Sequence, residues 1–379
     1  CPYGRQIEVA DGITIKFTDI GHLLGSSSIE VWLREADVEK KLVFSGDIGN
    51  FNQPLIKDPS YTREADYVIM ESTYGDRYHG KHQDYVTELT NVIQRTFDRG
   101  GNVVIPSFAV GRTQELLYYI RQIKAEDRVK DHGDFKVVVD SPLAVEATKI
   151  FNKNIDETYD EEAMELVKEG INPITFSNLH LSITTEESKA INFETEPMVI
   201  ISASGMCEAG RIRHHLKHNL WRPENTIIFV GYQAYGTLGR SLIEGAKEVK
   251  LFGETIKVSA DIVRLEGLSG HADKNGLLKW VNSFEKKPEE VFVVHGEDAV
   301  CEAFTSCLKD EYDLISDEWI EWGSRERIQK KPKQSSAYIR LLTASERLKS
   351  VIEHNEGGTN KDLGKFADQI IALCDKWER

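Results

Sequence analysis

Hydrophobic positions along the chain form short apolar runs that alternate with stretches of helical spacing. Residues 12–20 alternate apolar and polar side chains, which predicts a half-buried strand. More continuous apolar runs predict buried strands. These runs lie at 41–46, 66–71, 102–108, 136–142, 198–205, 225–233, 263–273 and 289–297. Helical spacing follows most of them, so the pattern predicts an α/β architecture with a mostly parallel sheet in part of the chain.

Length and charge narrow the class of protein. A chain of 379 residues suggests two domains or three. No apolar run approaches the ~18 residues needed to cross a bilayer, which argues against a membrane partner. The formal charge of −15 argues against nucleic-acid binding through bulk charge, but it allows a local basic groove. Five scattered cysteines without a CxxC pair are typical of reduced thiols in a cytoplasmic protein.

The end of the chain changes character. Residues 327–336 are basic and contain proline, which is typical of a linker. Residues 337–352 and 361–378 then show helical apolar spacing, with GGTN between them as a helix stop and a new N-cap. We expect a small helical extension with no role beyond packing.

Candidate chemistry lies just after the predicted strands. His22, Asp47, Glu71, His271 and His295 each follow or end such a segment. Ligands gather beyond the carboxyl ends of strands in open α/β sheets, so these residues are candidates for one shared site. Imidazole and carboxylate groups suit zinc. Taken singly, each has an ordinary structural explanation, as a satisfied histidine, a turn former or a helix-start residue.

Nine ordered segments together are more specific. They are GHLLGSSS, SGDIGN, ESTYGDR, IPSFAVGRTQE, DSPLA, ISASGMCEAGRIRHHL, VGYQAYGTLGR, SGHAD and VHGE. Over residues 11–300 the chain resembles the β-CASP branch of the metallo-β-lactamase superfamily. These are RNA-processing nucleases related to the polyadenylation endonuclease subunit and to ribonuclease J.

The resemblance implies a fold and a domain division. The expected fold is a metallo-β-lactamase αββα sandwich, present in part, with an inserted β-CASP α/β domain and a helical C-terminal extension. The sandwich would comprise residues 1–74 and 256–310, the β-CASP domain residues 75–255, and the extension residues 311–379.

The resemblance also implies roles for the five residues after the strands. His22 matches a ligand of the first metal, Asp47 the carboxylate that bridges both metals, and His295 a ligand of the second. Glu71 and His271 match the pair that serves the reaction. The implied cofactor is two Zn²⁺ ions that clamp the attacking and leaving oxygens of a phosphoryl displacement.

One departure from the family pattern concerns the metal ligands. The H-x-H-x-D-H signature that supplies most of them belongs upstream of His22, and residues 1–21 do not contain it. We expect this signature to precede Cys1, so that the chain lacks the N-terminal half of the sandwich and is inactive alone. A degenerate homologue is the alternative.

Three glycine-containing turns between strands and helices suggest phosphate contacts. Helix N-termini with nearby arginines bind phosphate oxygens, and in this family context we expect RNA-backbone contacts. The candidate residues are Arg112, Ser204, Gly205, Arg211, His215 and Arg240. Ordinary strand-end turns with solvated arginines are the alternative. Nearby aromatic residues are candidates for base stacking or for core packing: Phe108, Tyr232 and Tyr235.

Three functions remain open from the sequence. The favoured one is a zinc-dependent ribonuclease that cuts single-stranded RNA in a cleft between the two domains. A small-ester or lactone hydrolase of the same superfamily is disfavoured, because small substrates need no arginine-bearing clamp. A non-catalytic RNA-binding scaffold is the third. A homodimer is left open.

Overall fold

The computed structural model describes residues 1–79, 84–265, 269–309, 344–345, 347–352 and 360–377. Residues Cys1–Ser316 form one compact unit and Asp317–Arg379 form a second. In the second unit a helix spans Asn360–Trp377. The predicted linker at 327–336 and the predicted GGT stop at 357–359 lie outside the described residues. No helix in the described part of the chain combines the length and apolar character needed to cross a bilayer.

The first sheet of the large unit is mixed. Its six strands, in spatial order, are β1 (Gln6–Ala10), β2 (Ile13–Asp19), β3 (Ser27–Glu35), β4 (Val38–Phe44), β5 (Tyr67–Glu71) and β14 (Glu290–Val294). Strands β1 to β4 pair antiparallel, whereas β4, β5 and β14 pair parallel. Because β2 and β4 both run opposite to β3, the strands β2, β4, β5 and β14 all end at the same edge of the sheet.

Two helices cover one face of this sheet. Helices α9 (Lys274–Val281) and α10 (Asp298–Leu308) pack on its buried strand residues. Trp280 of α9 and Phe304 of α10 are fully buried against residues such as Val68 and Met70. Burial of large side chains stabilises this layer by about 1.5–3 kcal/mol each.

The second sheet is parallel throughout. Its strands, in spatial order, are β13 (Asp261–Leu265), β10 (Thr226–Val230), β6 (Val103–Pro106), β9 (Met198–Ser202), β7 (Lys136–Asp140) and β8 (Leu179–Ser182). Strands β6, β9 and β10 are buried along their whole length. Their unbroken apolar runs are the pattern expected of strands covered on both faces.

Helices cover both faces of the second sheet. The helices are α1 (Tyr85–Phe97), α2 (Arg112–Ala125), α3 (Pro142–Lys153), α4 (Ile155–Thr158), α5 (Glu161–Lys168), α6 (Thr185–Ile191), α7 (Ile212–Asn219) and α8 (Leu238–Ile243). One apolar layer includes α1, α2 and α3, and the other includes α7, α8 and a hairpin of β11 (Glu248–Leu251) and β12 (Glu254–Lys257). Side-chain caps such as Ser141 and Thr237 begin the helices at defined residues.

The structure agrees with the predicted fold class and adds to it. The mixed α/β architecture with a parallel sheet is confirmed. Strands β1, β3, β8, β11 and β12 were not among the predicted runs, because their polar residues hide the apolar pattern. Strand β13 pairs with β10 in the second sheet, although the expected boundary at residue 256 groups it with the first. The remaining domain division stays a prediction.

Candidate metal centre

The five predicted site residues lie together at one edge of the first sheet. His22 follows β2, Asp47 follows β4, Glu71 ends β5 and His295 follows β14. His271 reaches the same place from the segment before α9, where it bridges to Gly49 beside Asp47. The four strands run in the same direction, so their carboxyl ends lie at the same edge of the sheet. The predicted convergence is therefore what the structure shows.

Asp47 lies between two imidazoles. Its Oδ2 atom is 3.9 Å from Nε2 of His22, and its Oδ1 atom is 3.3 Å from Nε2 of His295. One donor atom each from His22, Asp47 and His271 also fall within 4.8 Å of one another. Ligand atoms about 2 Å from a shared zinc ion lie within about 4 Å of each other. The three atoms are therefore close to the spacing that a shared metal ion requires, and each Asp47 oxygen faces a different histidine, His22 or His295.

Glu71 holds His271 from behind. The buried carboxylate accepts a hydrogen bond of 3.1 Å from Nδ1 of His271 and one of 2.6 Å from the backbone amide of Ile48. Its second oxygen accepts a 3.2 Å bond from the amide of Thr73. Glu71 thereby orients one imidazole and also fixes the backbone next to Asp47.

Burial and charge set the protonation of these groups. Burial, reinforced by the neighbouring His271, lowers the pKa of His22, so that its imidazole is held in the neutral form that coordinates metals. Burial acts in the same direction on His271, but the hydrogen bond and charge of Glu71 outweigh it and raise the pKa of His271. Burial would raise the pKa of Glu71, yet its contacts with His271, Thr73 and Ile48 lower it.

Close backbone packing explains the glycines around the site. A Cβ atom at Gly49 would lie 2.1 Å from the carbonyl oxygen of Gly21, so only glycine fits between the segments that carry Asp47 and His22. A Cβ atom at Gly270 would lie 3.0 Å from the His22 ring. The SGDIGN and SGHAD segments thus have glycines where two segments of the protein pack closely against each other.

Gln53 joins three of the site segments, a role that no sequence motif indicates. Its Nε2 atom lies 3.4, 3.1 and 3.0 Å from the backbone oxygens of Gly21, Asn50 and Gly270. These carbonyls adjoin His22, the segment after Asp47, and His271. Because Gln53 is buried, the amide is a fixed link between the three.

His79 contacts the segment that carries His271. Its Nε2 atom lies 2.9 Å from the backbone oxygen of His271, and its backbone amide donates to Asp273. Its ring packs edge-on against Tyr74, with centroids 4.9 Å apart. His79 lies in a polar segment, so sequence reasoning gave it no role.

Two of the predicted phosphate-binding residues are held inside the second-sheet domain. His215 is fully buried, and its Nε2 atom donates to the buried carboxylate of Asp140 over 2.7 Å. Arg211 donates to the other oxygen of Asp140 over 2.7 Å and to the backbone oxygen of Ile183 over 2.7 Å. The structure thus gives both residues partners within the protein; His215 has no exposed surface, whereas the Arg211 side chain remains 22% exposed.

The other phosphate candidates differ in their access to solvent. Arg112 is largely buried in an ion pair with Glu115, whereas Arg240 is partly exposed and pairs with Glu244. Gly205 is buried, and a Cβ atom there would lie 3.0 Å from the Phe108 ring, so the missing side chain leaves room for this ring. Ser204 is half-buried.

The predicted stacking residues are exposed. Phe108, Tyr232 and Tyr235 expose 47%, 42% and 90% of their surface, which sets aside core packing as the main role of these rings. The Tyr232 hydroxyl donates to Glu297, two residues after His295, over 3.2 Å. This contact brings the second-sheet domain beside the metal centre.

Comparison with known proteins gives this geometry a family. Residues 113–242 match the Beta-Casp domain, and residues 255–317 match the Zn-dependent metallo-hydrolase RNA specificity domain. The chain is 35% identical to Ribonuclease TTHA0252 of Thermus thermophilus over 78% of its own length and 65% of that protein. It is 34% identical to an RNase J-like protein of Methanocaldococcus jannaschii, over 78% of this chain and 66% of that protein.

A third relative is longer. Transcription termination factor FttA of Methanocaldococcus jannaschii is 32% identical over 81% of this chain and 49% of its own length. The chain thus spans between half and two thirds of the length of these relatives. Both domain matches and all three relatives agree with the clustered histidines and carboxylates: the chain belongs to the β-CASP family of metallo-β-lactamase-fold RNA nucleases.

Proposed function

We propose that this protein hydrolyses phosphodiester bonds of single-stranded RNA at the metal centre between its two sheet domains. The observation that carries the proposal is the position of Asp47, whose two oxygens face histidines from two different strand ends. A carboxylate placed in this way suits a bridge between two zinc ions, with His22 and His295 as ligands on either side.

Different residues of the chain would bind the zinc ions and transfer the proton. Bound zinc would supply Lewis-acid activation of water at neutral pH. Glu71 keeps the His271 ring in one orientation through the 3.1 Å bond to Nδ1. The ring can then present its other nitrogen to the RNA and protonate the leaving ribose oxygen.

The exposed rings of the second-sheet domain are suited to hold the substrate. Phe108, Tyr232 and Tyr235 offer faces on which bases stack, a contact worth about 1–3 kcal/mol per base. Arg240 and Ser204 are the predicted phosphate contacts that keep solvent access. Arg112, Arg211 and His215 act in this proposal through internal contacts that shape the turns.

Shared between two zinc ions, His22, Asp47 and His295 would supply only two ligands to each ion, whereas a stable zinc site uses three or four. We therefore propose that these residues alone hold zinc weakly and that this chain by itself is not catalytic. The test belongs in the full-length protein.

The experiment compares Asp47→Asn with wild type and with Asp127→Asn as a matched control on an exposed aspartate. Zinc content and cleavage of a labelled single-stranded RNA are measured on the full-length protein. We expect Asp47→Asn to lose bound zinc and more than about 100-fold in cleavage rate, because even supporting partners of metal ligands cost 10–100-fold when removed. Wild-type cleavage by Asp47→Asn would refute the bridging role. A wild-type protein that binds RNA but neither binds zinc nor cleaves the RNA would be a scaffold.

A further inference from the structure

The outer face of α7 combines exposed aromatic rings with positive charge. We call it the aromatic–basic face; its residues are Phe193, Arg213, His214, Lys217, His218, Trp221, Arg222 and Phe252. On α7, Arg213 and His214 are followed four residues later by Lys217 and His218, so these four side chains share one side of the helix. Ile212 and Leu216 bury the opposite side against the second sheet.

The local charge contrasts with the rest of the molecule. About one residue in six of the whole chain is acidic, yet residues 209–223 contain no aspartate or glutamate and four arginines or lysines. A positive stripe of this kind in an acidic protein attracts anions locally. Burial and the charges of Lys217 and nearby histidines lower the pKa of His218, as expected where the potential is positive.

The aromatic rings are arranged as platforms. Phe252 is half-exposed and stacks on His214 with centroids 4.3 Å apart, and the Arg213 guanidinium lies 5.6 Å from the Phe252 ring centre. Trp221 is half-exposed, and the Arg222 guanidinium lies 5.3 Å from the Trp221 ring centre. Exposed large rings next to cations are the combination that stacks bases and holds a phosphate backbone.

The contacts of the cations leave them available to a ligand. Arg213 donates to the backbone oxygen of Glu208, and Lys217 pairs with the exposed Glu254 across 2.6 Å. An exposed pair of this kind contributes only about 0–1 kcal/mol, so a phosphate can displace the carboxylate. Phe193, with 78% of its surface exposed, lies beside His218.

The face extends along the depth of the second sheet. Helix α7 follows β9 and returns antiparallel to it, so Arg213 lies near the carboxyl end of the strands. Trp221 and Arg222 lie at the opposite edge, where Asn225 precedes β10 and bonds to Asn219. A chain bound along the face would therefore cross the domain from one edge to the other.

We propose that the aromatic–basic face is a second binding surface for single-stranded RNA, separate from the metal centre. The inference rests on the proposed function, because it takes the same RNA as its ligand. Alternating rings and cations favour a single strand, whose bases are free to stack, over an acidic polypeptide that offers charge alone.

The test measures binding without cleavage. A fluorescein-labelled single-stranded RNA is titrated with the chain in EDTA at several salt concentrations and followed by anisotropy. The variants are Lys217→Glu/Arg222→Glu, Trp221→Ala and, as the control, Lys153→Glu/Lys168→Glu on exposed lysines of the same domain.

We expect the double charge reversal to weaken binding about tenfold or more. The slope of the logarithm of the affinity against the logarithm of the salt concentration should fall in magnitude by about 1.4, because each of two lost phosphate contacts contributes about 0.7. Trp221→Ala should weaken it about fivefold or more, through loss of one stacked base. The lysine control should stay within about twofold of wild type. Unchanged thermal midpoints and near-normal binding by Lys217→Arg/Arg222→Lys would show that the losses are local.

Equal binding by all variants would overturn the inference and leave the metal centre untouched. Full competition by polyglutamate, together with normal binding by Trp221→Ala, would overturn it in favour of an acidic protein partner. Failure of the proposed function looks different: cleavage and zinc content would be unchanged in Asp47→Asn, and the affinity measured in EDTA would be unaffected.

Discussion

Substitution of Asp140 by asparagine tests whether Arg211 and His215 have internal roles. Asp140 ends β7 and is fully buried. Its carboxylate accepts hydrogen bonds from Arg211, His215 and Ser188, at 2.7, 2.7 and 2.6 Å. The network joins β7 to α6 and α7, so its loss should loosen the domain that covers the metal centre.

The magnitude follows from the carboxylate's environment. Burial would raise the pKa of Asp140, but its hydrogen bonds with His215 and Ser188 outweigh this and lower the pKa to about 2 from 3.8. Each pKa unit corresponds to about 1.36 kcal/mol, so the ionised carboxylate contributes about 2.5 kcal/mol to folding. Breaking a buried ion pair costs about 3–5 kcal/mol, because the remaining charge loses its partner. We expect Asp140→Asn to cost about 3 kcal/mol.

The assay is urea unfolding followed by circular dichroism, with the cost read from the shift in midpoint at constant slope. Glu244→Gln serves as the control, since it removes an exposed ion pair with Arg240 and should cost less than about 0.5 kcal/mol. The folded-state pKa of Asp140 lies below its unfolded value. Its contribution is therefore fully present above about pH 4 and is lost as the pH falls toward 2.

A midpoint for Asp140→Asn equal to that of Glu244→Gln would refute this reasoning. The buried network would then contribute little, and Arg211 would be free to leave Asp140 for an RNA phosphate. A difference that persists unchanged at pH 2 would refute the electrostatic part alone.

Two further predictions concern the metal centre of the full-length protein. His271→Ala should slow RNA cleavage without releasing zinc, because it removes the oriented proton donor; elemental analysis showing lost zinc would make His271 a ligand instead. Gln53→Leu keeps the side-chain size but removes the amide that links three backbone carbonyls, so zinc affinity measured by competition with a chelator should fall about 10–100-fold. Wild-type affinity in that variant would mean that the segments hold their positions without Gln53.

The position of the metal centre was predictable because it depends on strand direction. Strands that run in the same direction have their carboxyl ends at one edge of the sheet. Polar residues that directly follow the apolar runs of these strands are therefore brought together at that edge. His22, Asp47, Glu71 and His295 follow this rule. His271 was predicted with them, at the end of the run at 263–273, but strand β13 ends at Leu265 and His271 reaches the centre from the segment before α9.

The partners of the arginines were not predictable in the same way. Arg211 and His215 bond to Asp140, which lies 71 and 75 residues away along the chain. Gln53 reaches Gly270 across 217 residues. Short motifs carry no signal for such pairs, because a glycine turn with an arginine looks alike whether the guanidinium faces solvent or a buried carboxylate.

The sequence by itself determined the α/β architecture, the family and the set of ionisable residues near the metal centre, because periodicity and short motifs are local properties of the chain. The tertiary structure decided which of those residues are buried together, which strand joins which sheet and which cations remain at the surface. Burial and pairing depend on segments distant in sequence, and only folding brings their side chains within hydrogen-bonding distance.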